Sequence, residues 1–275
     1  MSVATLPSPV QAHDSQSGPL DYLSASRLKT WQDCRLKFYF KYVERLPTAT
    51  SPALFVGQIV HEVLRHWNLR RWRGEPADIE SLWPVFSEHW LQDQPDEGID
   101  WKDKEDEQKE KAWNMLEHYL EQTPVPLAEK PEAVEVVVER DFMAAGLPPL
   151  KGIIDLVRQG GRIVDFKTTA QTPNGQQVAH LNEVQLSCYA VLYREATGHP
   201  ESGMELHHLV KTKQPKLVVT TLSPMTPDQG RRLMTMMESY VQGVQAEDYV
   251  PSPGLHCSYC DFFGQCRAWK GGGSC

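Results

Sequence analysis

Two short β-branched runs, Gly152-Ile-Ile-Asp155-Leu-Val and Arg162-Ile-Val-Asp165-Phe-Lys167-Thr, each place one aspartate in an otherwise apolar stretch. Alternating Ile, Val and Phe bounded by glycines predict strands. An unpaired carboxylate is costly in such a setting, so each aspartate needs a cationic partner or a bound cation. Asp165 and Lys167 stand two apart on one strand and project to the same face, with Val164 and Phe166 on the other. The face taken by Asp155 depends on the turn between the strands. A two-residue Gly160-Gly161 loop sets Asp155 opposite Phe166 and away from Asp165. A three-residue Gln159-Gly160-Gly161 loop sets it directly across from Asp165, and three-residue hairpins with a left-handed glycine are common. Two carboxylates placed face to face repel unless a divalent cation lies between them, and oxygen ligands suit Mg²⁺ or Mn²⁺. Such a metal, with Lys167 beside it, can activate water and neutralise charge on a phosphate. Taken alone, the Asp-x-Lys strand reads better as a buried Asp165–Lys167 ion pair.

The hairpin lies within a longer alternation of elements. A first strand is predicted over 133–142, a helix over 178–197, and a second hairpin over 206–212 and 216–222 around Gln214-Pro215. A last helix follows over 227–246, its methionines reading as core filler. Upstream, Ser24 or Ser26 is placed to cap a helix reaching about residue 45, with Leu28, Trp31, Phe38 and Tyr42 on one face. Residues 48–53 break it, and an amphipathic helix starts near Phe55. The stretch 74–130 reads as a mostly helical insertion. Together these predict an α/β domain over 21–270, with a mixed central sheet between helical walls, a disordered leader over 1–20 and a flexible tail over 271–275.

The chain of 275 residues is 40 % hydrophobic and 23 % charged, enough for a sizeable core. No apolar run approaches the ~18 residues of a membrane span. The first twenty residues lack the order of a signal peptide, so a cytoplasmic protein is expected. A net charge of −8 speaks against a general nucleic-acid coat protein. Charge is uneven, however. Residues 27–45 hold six Lys or Arg against Asp33 and Glu44, whereas 93–110 hold nine acids and three lysines and read as a solvated face.

In this order the motifs resemble the PD-(D/E)xK nucleases, and within them the RecB-like branch. Ser24-Ala-Ser26-Arg-Leu28 with Cys34 matches the opening helix of that family, and Gly57, His61 and Leu64 its next helix. Asp155, then Asp165 and Lys167, match its catalytic strands, and Gln185 and Tyr189 its Gln-x-x-x-Tyr helix. Asp155 follows Ile154 where the family often has proline. The resemblance implies a restriction-endonuclease-like fold. It further implies a metal held by His61, Asp155, Asp165 and the Phe166 backbone carbonyl, with Lys167 assisting hydrolysis. Gln185 and Tyr189 are then expected beside the nucleic acid, one contacting phosphate and the other stacking a base. Glu62, Glu135 and Glu139 are expected to be solvent-exposed, with extra metal ligation as the alternative. With no helicase P-loop in the chain, the implied activity is a stand-alone exonuclease on single-stranded DNA ends. Its setting would be repair or CRISPR adaptation, beside a helicase or adaptation partner. The rival expectation is a non-catalytic iron–sulfur or zinc scaffold that binds nucleic acid or a partner protein.

Cys257-Ser-Tyr-Cys260 and Cys266 form a tight cluster over 251–270, a strong metal signal that lacks one ligand. His256 is a local candidate for the fourth. The family resemblance instead implies Cys34 and a [4Fe–4S] cluster that staples the chain ends together. All-thiolate ligation suits iron–sulfur or zinc, and spacing does not choose between them. Cys188 reads as a small buried hydrophobe.

Overall fold

The computed structural model describes residues 17–271, so the expected leader up to residue 16 and the tail from 272 lie outside it. Ser24 caps α1 (Ala25–Asp33) by accepting the Arg27 amide at 3.3 Å. The helix expected through residue 45 breaks at Cys34, whose backbone is extended (φ −166°, ψ 116°). The Cys34 sulfur then caps α2 (Arg35–Phe38) by accepting the Lys37 amide at 3.4 Å, and a π-helical turn over Tyr39–Val43 follows. Ser51 and Pro52 open α3 (Pro52–Arg73), and left-handed Gly74 ends it, as first-turn proline and C-terminal glycine favour. The expected insertion supplies α4 (Trp83–Gln92) and α5 (Glu105–Gln122). Among the described residues no helix is long and apolar enough to cross a membrane.

Five strands follow: β1 (Ala133–Arg140), β2 (Leu150–Arg158), β3 (Arg162–Thr169), β4 (Gly203–Val210) and β5 (Lys216–Leu222). They pair in sequence order, parallel between β3 and β4 and antiparallel elsewhere, which makes the mixed sheet. The crossover from β3 to β4 runs through α6 (Gly175–Leu181) and α7 (Glu183–Thr197). These replace one expected helix because the Asn182 amide turns back onto the Val178 carbonyl at 2.8 Å. The chain continues through α8 (Pro227–Gln245) to α9 (Phe263–Ala268).

Each sheet face carries a core. Ile163, Met204 and Leu206 pack with α1, α7 and α8, whereas Val164, Phe166 and Leu209 pack with α3, α4 and α5. On the first side Trp31 lies edge-on to Tyr240, 5.6 Å between centroids, with its ring over Gly243 of α8.

Three features open the sheet at one place. Arg158 faces Arg162, which leaves Gln159-Gly160-Gly161 as a three-residue loop with both glycines left-handed (φ 82° and 75°). The β2–β3 ladder then stops at Leu156–Val164, and Leu23 takes over beside β2. Its amide bonds the Pro149 carbonyl at 2.7 Å, and its carbonyl accepts the Lys151 amide at 2.8 Å. Finally, the β1–β2 register skips Glu135 and Asp155, and Glu135 is left-handed (φ 46°). Val134 and Leu156 pack in the core beside α3, but Val136 and Ile154 pack in the opposite one, so the faces exchange at Glu135 and Asp155. A non-glycine residue at positive φ inside a strand is a costly conformation held by its surroundings.

Candidate active site

Asp165, 1 % exposed on β3, accepts hydrogen bonds at Oδ1 from Lys167 Nζ (3.1 Å) and Gln185 Nε2 (2.9 Å). Lys167 Nζ also stands 2.8 Å from Oδ2, but out of alignment, so Oδ2 is buried without a hydrogen bond. Burial pushes the Asp165 carboxyl above the usual range; Lys167 pulls it down, Asp155 adds to the rise, and His61 opposes it. Asp155 crosses the gap where the ladder stops. Its Oδ2 accepts the Phe166 amide at 3.1 Å and lies 3.6 Å from His61 Nδ1. The Phe166 ring, edge-on to Tyr119 at 5.7 Å and to His207 at 5.8 Å, anchors this part of β3 in the core. Two acids, a histidine and a lysine, drawn from α3, β2 and β3, thus meet at the opening between the strands.

From α7, Gln185 accepts Lys167 Nζ at 2.9 Å and donates to Tyr189 Oη at 2.8 Å, so one amide orients both the lysine and the acid. The Tyr189 ring, 7 % exposed, packs in the core and presents no open face. Burial raises its hydroxyl well above its ordinary value, and Asp155 and Asp165 add to the shift.

Sequence reasoning passed over His208, the β4 partner of Lys167, whose Nδ1 is buried without a hydrogen bond. Burial holds its pKa below the usual 6.5 against the pull of Asp165. The paired histidines in an apolar strand were the available signal. Glu135 and Glu62, expected in solvent, are instead partly buried on either side of Arg65, which lies 3.6 Å from Glu135. Burial lifts the Glu135 carboxyl to about 7, opposed by Arg65 and reinforced by Glu62 and Asp155. Burial works the same way on Glu62, but bonds from His66 and Arg65 outweigh it and lower that carboxyl to about 2. Nothing in the sequence signals the left-handed turn that points Glu135 inward. Glu139 is exposed as expected, 3.1 Å from Lys151.

A family model for the PD-(D/E)XK nuclease superfamily matches residues 22–267. The chain belongs to that superfamily. Among solved structures, a crystal structure of a "putative exonuclease" from Eubacterium rectale is similar over 97 % of this chain and 96 % of that one, at 15 % identity and a TM-score of 0.58. The crystal structure of SSO0001 aligns over 88 % and 96 % at 15 % identity, with a TM-score of only 0.36. No curated protein matches significantly. The five-stranded mixed sheet between helices is the restriction-endonuclease-like fold of the PD-(D/E)XK superfamily. Divalent metal ions are typical of these nucleases, and the site fits one. The buried Asp165 carboxylate, its Oδ2 2.8 Å from the Lys167 ammonium, supplies oxygen ligands, and the Asp155 carboxylate and His61 imidazole converge beside it.

This PD-(D/E)XK chain also gathers four thiols far from the carboxylates. Cys34, Cys257, Cys260 and Cys266 line a cavity of about 40 Å³ walled by Phe40 and Phe262. Cys34 Sγ accepts amides from Lys37 (3.4 Å) and Ser252 (3.5 Å), and Cys257 Sγ accepts that of Gly254 (3.4 Å). Burial pushes the Cys266 thiol up, and the three neighbouring cysteines push it further. Four sulfurs, two of them amide-bonded, are a donor set that fits a thiolate-bound metal centre. His256 lines the same cavity with Nε2 unpartnered, so both candidate fourth ligands come to one place. Cys188 lies apart, on α7, its thiol pushed up to about 12 by burial.

Proposed function

We propose that this chain is a Mg²⁺- or Mn²⁺-dependent deoxyribonuclease that degrades DNA from single-stranded ends. The observation that carries the reading is the meeting of the buried Asp165 carboxylate, 2.8 Å from Lys167 Nζ, with Asp155 and His61 at one opening. Asp155, Asp165, His61 and the Phe166 carbonyl hold the ion. The ion supplies a water of lowered pKa and positive charge for the phosphate. Asp155 keeps the Phe166 main chain in place through its amide. The Lys167 ammonium, steered by Gln185 and Asp165, orients the attacking water or balances charge on the phosphate oxygens. Gln185 faces the nucleic acid, and the buried Tyr189 supports it from behind.

Cys34, Cys257, Cys260 and Cys266 hold a [4Fe–4S] cluster on this reading, with zinc as the alternative for an all-thiolate set. Its role is structural, because it ties the break between α1 and α2 to the C-terminal segment. Similarity to a protein called an exonuclease supports attack at ends. Repair or CRISPR adaptation, beside a helicase or adaptation partner, is the setting proposed. The deciding assay incubates end-labelled single-stranded and duplex DNA, and labelled RNA, with Mn²⁺ or with chelator. Metal-dependent shortening of the single strand is expected. Cleavage of RNA alone would overturn the DNA assignment, and no cleavage of any substrate would overturn the nuclease.

A further inference from the structure

Beside the carboxylate opening, and sharing no ligand with it, α3 and α4 bring two histidines and a glutamate together. His66 Nε2 lies 3.2 Å from Glu62 Oε1, one helical turn away on α3. His89 Nε2 reaches over from α4 to 3.5 Å from the same oxygen. The three atoms lie within 4.8 Å of one another, and all three side chains are only partly buried. A tetrahedral ion with ligand bonds of about 2.0–2.1 Å sets its ligands about 3.4 Å apart, close to both distances. On its far side the His89 ring bonds through Nδ1 to Asp93 Oδ2 at 2.8 Å. That carboxylate–histidine pairing is how metal-binding imidazoles are held in one tautomer and orientation.

We propose that Glu62, His66 and His89 form a second metal site, selective for a borderline ion of the Zn²⁺ class. Two imidazoles and one carboxylate suit such an ion better than Mg²⁺ or Mn²⁺, and three protein ligands leave a coordination position for water. Arg65 competes for the place. Its Nε bonds both oxygens of Glu62 (3.1 and 3.0 Å), and its guanidinium lies 3.1 Å from His66 Nε2. Entry of the ion requires Arg65 to move, and Glu135, 3.6 Å from its Nε, is the acceptor at hand. Binding would fasten α4, in the helical insertion, to the helix that carries His61.

Zn²⁺ uptake is measured by equilibrium dialysis and elemental analysis on the full chain with its cysteine centre filled. The wild type is expected to take one equivalent more than the His66→Ala/His89→Ala variant, and Asp165→Asn to retain that equivalent. Asp93→Asn, a positioning change, should weaken this site roughly 10–100-fold. Arg65→Gln should tighten it roughly tenfold, because it removes the competing cation. Cobalt in the site should show visible bands without thiolate charge transfer, unlike cobalt bound by the cysteines. Should the double variant fail to fold, ring-nitrogen NMR of the wild type must show the His89 signals move on Zn²⁺ titration. Equal uptake by wild type and double variant, no gain in affinity from Arg65→Gln, or unmoved His89 signals would each overturn the site. None of these outcomes bears on DNA cleavage, so nuclease activity stands or falls separately.

Discussion

The Asp165 carboxyl is raised chiefly by burial, against the pull of Lys167, so its charged form is held less well here than in water. A raised folded pKa contributes stability that is complete below the ordinary aspartate value and is lost as pH rises through the folded value. Asp165→Asn keeps the shape and removes the charge. In chelator at neutral pH its Tm should equal or exceed that of the wild type, while cleavage falls by roughly 10²–10³-fold or more. Lys167→Ala and Asp155→Asn should lose activity similarly. Calorimetry with the end-label assay checks both halves, and a marked drop in the Tm of Asp165→Asn would mean that its charge is structural. The acids and the lysine were legible because strand side chains alternate, so two residues' spacing decides a face. His208 was not, since its relation to Lys167 arises only from parallel pairing across the α6–α7 crossover. Three of the six cations in the basic stretch 27–45 are held by neighbouring groups. Arg27 is buried, bonded to the carbonyls of Gly18 and Tyr22 at 2.9 Å and stacked on the Tyr22 ring, while Lys29 pairs with Asp33 and Arg35 with Asp248.

Among the elements, α1 and α2 show most clearly what a linear pattern hides. The apolar stripe predicts one helix, but the extended backbone of Cys34 breaks it and turns its sulfur toward the C-terminal cysteines. If that cavity holds an iron–sulfur cluster, protein purified without oxygen is brown, with broad absorption near ~400 nm (the thiolate pattern of). Cys34→Ser should bleach it and lower the Tm, and a colourless protein with stoichiometric zinc would replace the cluster but keep the staple. Helix α8 supports a separate test. A Cβ at Gly243 would lie 2.2 Å from the Trp31 ring. Gly243→Ala gains about 1 kcal/mol in helix propensity, yet overpacking costs roughly 1–3 kcal/mol, so a net loss is expected in urea unfolding. The three-residue turn between β2 and β3 was one of two loops the glycines permit, selected by what the aspartates require. The exchange of faces at Glu135 and Asp155 was not legible at all, because strict alternation assumes a regular strand.

Across the whole molecule, Arg158 links the end of the insertion to the middle of the sheet. It bonds Glu129 through Nε (2.9 Å) and Nη2 (2.8 Å), and Glu205 through Nη1 at 3.0 Å. Glu205 in turn holds His207, which meets Tyr119 of α5. Hydrogen bonding from Arg158 holds Glu129 below the ordinary carboxylate value. Burial would raise Glu205, but bonds from His207 and Arg158 carry it below as well. Lowered carboxyls contribute stability that is complete above about 4.5 and is lost as pH falls below it. Arg158→Ala leaves buried Glu205 with only Arg162, 3.6 Å away, and His207 as partners, which should cost roughly 1–3 kcal/mol near pH 7. The variant should also lose part of the acid-side decline, and denaturant unfolding from pH 3.5 to 7 reads both effects.

The packing of Trp31 on Tyr240 and Gly243 sets a delay as well as a contact. About 200 residues separate the two sides, and at roughly 5–20 residues per second a ribosome needs on the order of 10–40 s to supply the second after the first. Through that interval Leu28, Trp31 and Phe38 lack the surface that later covers them. A nascent chain of this design therefore presents an uncovered aromatic stripe throughout most of its own synthesis, a natural target for a chaperone at the exit tunnel.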